Sequence, residues 1–280
     1  MNYDLEPPNA SEVELIANIF KPWEWLTSPK FYGLDNIPSK GPVLFVGNHT
    51  IMGGLDVPLI WLKLYREKEI FLRMLVDHAH FKIPVLRDFL AKFGEVDGTR
   101  ENAADLLRKG QYVLVFPGGS REAFKRKGEA YQLIWRHHLG FAKMAIKFGC
   151  TIVPMASVGP EECYEIVYDS EDYLNSPFGG MIKKLGIRKD LLIPIVKGIG
   201  PTLIPRPQRF YTHFGSPILT DHFNYKDSKE NAMELREVVQ DSLERDIEFL
   251  KTEREKDPKK ELLRRVFPFE GSNFFSKKKE

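Results

Sequence analysis

From Pro42 onward the chain alternates short β-branched runs with longer helical patterns, and this alternation restricts the fold more than any other feature. VLFV (43–46) reads as a buried strand, and Val57 to about Lys68 as a helix with Pro58 in its first turn. IFLRMLV (70–76) is a second strand and PVLRDFLAKF (84–93) a second helix. Thr99 caps a further helix that ends near Gly110, before the strand YVLVF (112–116). A helix around 139–148 then leads into TIVPMASV (151–158). Strands and helices in this order predict an α/β fold, a mostly parallel central sheet flanked by helices on both faces.

The flanks are read from local signals. Ser11-Glu12-Val13-Glu14 has the form of a capping box, and the helix it opens is expected to stop before Pro22. Residues 23–42, dense in Trp, Phe, Tyr, Pro and Gly, read as a connector. Residues 160–207 read as insertions with one apolar stretch (191–196), and RFYTHFG (209–215) alternates like a strand. Ala232, Leu235, Val239, Leu243, Ile247 and Leu250 recur at steps of three and four, the stripe of a long amphipathic helix. The expected organisation is one structural domain: residues 1–40 as helix and aromatic connector, 41–225 as α/β core, and 226–280 as amphipathic helix and basic, aromatic tail.

Composition excludes several classes of function. Lys+Arg 41 against Asp+Glu 39 leaves a net charge of +2, which argues against a globally basic nucleic-acid binder. Two cysteines, Cys150 and Cys163, cannot form a disulfide framework, so an intracellular, cytoplasmic setting is expected. The amino end lacks the pattern of a secretory signal, and no uncharged apolar run approaches the ~20 residues that cross a bilayer. The best candidate run, residues 140–159, contains Lys143 and Lys147.

In an open parallel sheet, reacting groups sit on loops beyond the carboxyl ends of strands. Two such loops stand out, GNHTIMGGLD (47–56) after the first strand and PGGSRE (117–122) after YVLVF, and both are expected at the same sheet edge. His49 has the chemistry of a general base near neutral pH; the alternative is a loop histidine bonded to backbone. Asp56 is the nearest carboxylate that can orient such a ring, but Asp56-Val57-Pro58 also has the form of a helix cap. Glu122 is the competing partner. Gly118 and Gly119 let main-chain N–H groups approach an anion or oxyanion, and Arg121 adds a planar charge. The alternative for these six residues is a tight turn with a surface arginine. His78 and His80 beside Asp77 suggest a metal only weakly, and His137-His138 falls in a stretch expected to be helical and exposed.

Four ordered segments now resemble one family. GPVLFVGNHTIMGGLD (41–56) is similar to the Asn-His block of the PlsC-like glycerolipid acyltransferases, and FGEVDGTR (93–100) to the block that ends in an acceptor-contacting arginine. VFPGGSRE (115–122) resembles the Phe-Pro-Glu-Gly-Thr-Arg block, and TIVPMASVG (151–159) the valine-proline block. Phe116-Pro117-Gly118-Gly119, DHAHFKIP (77–84) and YQLIWRHHLGFAKMAI (131–146) look most like the type-2 diacylglycerol acyltransferase branch, with the group typified by transmembrane protein 68. Two departures stand out. The family's His-x4-Asp becomes His49-x6-Asp56, and Gly118 replaces a glutamate.

The resemblance implies the PlsC-like fold and acyl transfer from a thioester, with acyl-CoA as co-substrate, to a glycerolipid or other lipid hydroxyl. His49 is then the general base, with Asp56 or Glu122 as its orienting carboxylate. Asn48, Arg100, Gly118, Gly119, Ser120 and Arg121 are the implied substrate-binding residues. Gly118 favours a neutral acceptor, and neither metal nor other cofactor is required. Trp23, Trp25, Phe31 and Tyr32, residues 178–189 and the carboxyl tail suggest peripheral membrane contact. An acyl-ester or acyl-CoA hydrolase, and a non-catalytic lipid binder on the same scaffold, are the alternatives.

Overall fold

The structure is a computed structural model that describes residues 8–76, 94–177, 179–186, 192–223 and 229–267. Its strands are β1 (Lys30–Tyr32), β2 (Val43–Gly47), β3 (Leu72–Val76), β4 (Glu95–Asp97), β5 (Tyr112–Val115), β6 (Thr151–Val158), β7 (Glu165–Tyr168), β8 (Ile195–Lys197) and β9 (Tyr211–Phe214). The main sheet has the order β1-β9-β6-β2-β5-β3-β4. From β6 to β4 every pairing is parallel; β9 runs antiparallel to β6 and parallel to β1. The mostly parallel sheet expected from the alternation is present.

Strand side chains alternate between faces, and here both faces are covered, so the central strands are apolar without a break. Val43 and Phe45 of β2 join Leu114, Val153 and Met155 under α2 (Val57–Lys68) and α1 (Ala10–Thr27), which contribute Ile60, Trp61, Leu64, Val13 and Ile16. Leu44 and Val46 point the other way, toward α3 (Arg100–Arg108) and, beyond the short α4 (Gly119–Ala123), α5 (Gly140–Phe148). After α6 (Ser170–Asn175) and α7 (Gly179–Lys184), α8 (Lys229–Lys256) closes that face with all six residues of its predicted stripe. The short α9 (Leu262–Val266) follows. Cys150 and Cys163 are buried free thiols.

Several local expectations are corrected. Asn9, not Ser11, caps α1, with Glu12 completing the box, and the helix passes through Pro22 to Thr27. Pro22 removes one helical hydrogen bond. The next turn is held from outside, since Trp23 donates its indole N–H to Leu55 O at 2.9 Å and packs edge-on against Phe210. The connector contains β1, a three-residue strand too short to show alternation, which pairs with β9. Within 160–207, β7 and β8 form a separate antiparallel ribbon. Residues 136–137 form a turn and His138 follows as coil, not helix, though both histidines are exposed as expected. The 84–93 helix and the Asp77/His78/His80 group lie outside the described residues. Among the described residues no helix is long and apolar enough to cross a membrane.

Candidate active site

The parallel run brings the carboxyl ends of β2, β5 and β6 side by side, and three loops meet there. Asn48 continues β2 by side chain instead of main chain. Its Nδ2 donates to Ser157 O at 3.0 Å and its Oδ1 accepts from Ser157 N at 2.8 Å, so it locks the loop to β6. It is 2% exposed, and this pairing occupies both its polar atoms.

His49 follows, half-buried, its ring 4.5 Å from that of Phe116. Nδ1 lies 3.3 Å from Thr50 O. With the proton on Nδ1, that contact leaves Nε2 as the basic nitrogen. The loop then winds round the ring through a 3-10 turn (Ile51–Gly53). Gly53 has φ +69°, and a Cβ there would overlap His49 Cε1 and lie 3.2 Å from both ring nitrogens. The two residues added between His49 and Asp56 are thus taken up by a turn that only glycine can close against the imidazole.

Asp56 is buried and caps α2. Its Oδ1 accepts from Thr50 Oγ1 (3.0 Å) and Val57 N (3.1 Å), and its Oδ2 from the Ser157 hydroxyl. Burial pushes its carboxyl up from the ordinary value, against these donors. Asp56 thus caps the helix and holds the hydroxyls of Thr50 and Ser157, while none of these bonds reaches the His49 ring; the carbonyl that faces the ring is that of Thr50.

The second loop supplies Glu122, fully buried. Oε1 accepts from the His49 main-chain N–H at 2.7 Å and Oε2 from Ile134 N at 3.1 Å. The two loops singled out in the sequence are joined by this carboxylate, which reaches the His49 peptide unit. Gly118 makes room for it: a Cβ at 118 would overlap Glu122 Oε2 and lie 2.5 Å from Glu122 Cβ. The space in which a glutamate at 118 would start is already filled by Glu122. Gly119 adopts φ +51° with open space around its Cα.

Arg121 pairs through Nη2 with Glu129, while its buried Nη1 has no partner among the described residues. Ser120 is half-buried in the same turn. Arg100 stands apart, exposed at the start of α3 beyond β4. Three strand spacings, roughly 14 Å, separate β4 from β2 along the sheet. Sequence reasoning missed Lys125, Glu161, Ser157 and Thr50. Lys125, 1% exposed, donates to His49 O and to Glu122 O (3.0 Å), and pairs with Glu161 at 3.0 Å.

Burial raises Glu122 from an ordinary 4.5 to about 7, outweighing the nearby Lys125 charge and the two N–H donors. Between these values the folded chain holds a proton that the unfolded chain releases. The resulting stabilisation is complete below about pH 4.5 and is lost as pH rises through about 7. Glu95, also raised by burial to about 7, acts in the same direction. Glu122→Gln removes one such contribution, so its melting temperature should fall less than that of the wild type between about pH 5 and about pH 8. Parallel melting curves against pH would contradict this.

Comparison with known proteins bears on the same region. The family model described as Acyltransferase matches residues 28–158, which include both site loops. Phytyl ester synthase 2, chloroplastic, from Arabidopsis thaliana is 38% identical over 262 residues, covering 83% of this chain and 36% of its own length. The human "DGAT1/2-independent enzyme synthesizing storage lipids" is 32% identical over 164 residues, 55% of this chain and 50% of that one. This chain thus spans half or less of these two relatives. In fold it is similar to the 1-acyl-sn-glycerophosphate acyltransferase PlsC from Thermotoga maritima, with a TM-score of 0.56 at 19% identity, over 85% of this chain and 79% of that one.

Proposed function

We propose that this chain, whose residues 28–158 match the Acyltransferase family model, is a PlsC-like acyltransferase that moves a fatty acyl group from acyl-CoA to the hydroxyl of a neutral lipid alcohol. The observation that carries this reading is the junction at the sheet edge, where the His49 ring lies between Gly53 and Phe116 and its peptide is bonded to Glu122 of the PGGSRE turn.

His49 Nε2 takes the alcohol proton as the oxygen attacks the thioester carbonyl. The tetrahedral oxyanion is met by main-chain N–H groups of the Gly118–Ser120 turn, the N–H of Gly119 itself being committed to Phe116 O at 3.0 Å. The carbonyl re-forms, the C–S bond breaks, and the imidazolium returns its proton to the departing thiolate. Ester and free thiol are the products. Arg121 Nη1, buried and unpaired among the described residues, suits a phosphate of the donor. A neutral acceptor fits a site in which Glu122 fills the space beside Gly118. It also fits the ester and storage-lipid products in the relatives' names.

The direct test offers labelled acyl-CoA with a monoacylglycerol, a diacylglycerol, a long-chain isoprenoid alcohol or lysophosphatidate, and separates the products by chromatography. Label in a neutral ester supports the reading; esterification of lysophosphatidate alone overturns the acceptor assignment.

Such substrates reside in membranes, and α1 has a second apolar face to meet one. Leu15, Ile19 and Trp25 are 60%, 55% and 61% exposed. Trp25 alone of the four aromatic residues proposed as a patch serves there, because Trp23, Phe31 and Tyr32 pack into the fold. Changing Leu15, Ile19 and Trp25 together to serine should lower co-flotation with liposomes by about tenfold or more, since burying each such side chain contributes about 1.5–3 kcal/mol. Unchanged flotation would count against this face.

A further inference from the structure

Lys125 carries a charge into the interior, where oxygen atoms surround it. Its Nζ donates to His49 O and Glu122 O and lies 3.0 Å from a Glu161 carboxylate oxygen, an ion pair between two buried side chains. A buried lysine that served only to offset Glu161 would not need to be aimed at the main-chain carbonyl of His49. On the other side of the same residue, the His49 N–H is held by Glu122 Oε1 at 2.7 Å. Lys125 and Glu122 also lie three residues apart, on the same turn of chain.

We propose that Lys125 is a positioning residue for acyl transfer, gripping the carbonyl of His49 while Glu122 grips its N–H, so that the backbone carrying the imidazole is fixed from both sides. Residues 47–54 include three glycines and a Met52 with φ +57°, a stretch with little intrinsic preference for one conformation. The clamp supplies the rigidity that the loop's own sequence lacks. Glu161 holds Lys125 in turn, so a residue beyond the end of β6 acts on the loop beyond β2 through one ammonium group. Both grips fall on main-chain atoms of His49 and not on its ring.

This inference rests on the acyl-transfer reading for its kinetic readout but has one independent of it. Lys125→Met alone strands the charge of Glu161, so the informative variant is the double change Lys125→Met with Glu161→Gln, which restores neutrality but leaves His49 O without its donor. In the full-length chain the double variant should melt close to the wild type. Its kcat should be about tenfold to a hundredfold lower, the scale of a small misplacement of a catalytic group, with KM for the thioester within about threefold. The histidine ring signals in a proton–carbon NMR spectrum, with His49 assigned from a His49→Gln variant, should shift or broaden for His49 and stay in place for the other histidines. Recovery of wild-type kcat in the double variant, with an unmoved His49 signal, would show that Lys125 only balances Glu161 and would overturn the proposal. A wild-type chain without acyl transfer rejects the functional reading instead, while the His49 signal still reports whether the clamp holds the ring.

Discussion

His49→Ala should lower the rate of ester formation by about 10²–10⁴-fold, the contribution typical of a positioned general base. The fold should survive, because the ring is half-buried and its tilted contact with Phe116 is peripheral to both large apolar clusters. The main-chain atoms of residue 49, which Glu122 and Lys125 hold, remain available in the alanine variant. Circular dichroism and the melting temperature should therefore match the wild type while turnover at saturating substrate collapses. Wild-type turnover in this variant would remove His49 from the chemistry.

Gly118→Ala should be nearly as damaging, and Gly119→Ala should not, although only Gly119 has a positive φ. At 118 the new methyl overlaps the Glu122 carboxylate and meets Glu122 Cβ at 2.5 Å, so the helix turn itself has to shift. That shift drags the acceptor away from the His49 N–H, and about a hundredfold in kcat is the expected cost of such a displacement. Overpacking should also remove about 1–3 kcal/mol of stability. At 119 the space is open, so alanine meets only the left-handed backbone penalty of roughly 1–2 kcal/mol and should keep most of the activity. Steady-state kinetics and melting of the two variants side by side check the contrast; equal losses would mean that the turn, and not the carboxylate, governs the site.

The contrast also marks what the sequence could reveal. β2, β5 and β6 are legible as short β-branched apolar runs, α2 by its proline in the first turn and α8 by its stripe at steps of three and four, and the two site loops because each leaves the end of such a strand. β1 and β4 have three residues apiece, and β7 and β8 pair only with each other, so their existence depends on partners distant in sequence. α1 passes Pro22 because Trp23 is anchored on Leu55, a contact 32 residues away. Within the site, His49, Asp56 and Glu122 stood out as chemically able residues on convergent loops. What each carboxylate grips was hidden. Asp56 reaches Thr50 and Ser157, and Glu122 reaches main-chain N–H groups, through tertiary contacts spanning as many as 101 residues. Lys125 gave no signal at all, since the positions of His49 O and Glu161 beside it follow only from the stacking of β2, β5 and β6.

The most direct measurement follows radiolabel from an acyl thioester as the concentration of a long-chain alcohol is raised. If the imidazole activates an alcohol for attack, label should leave the thioester for a neutral ester in proportion to alcohol occupancy, with little free fatty acid, and the His49→Ala chain should form none above background. Label passing to free fatty acid at the same rate with or without alcohol would contradict the account, because water would then be the acceptor that this site activates.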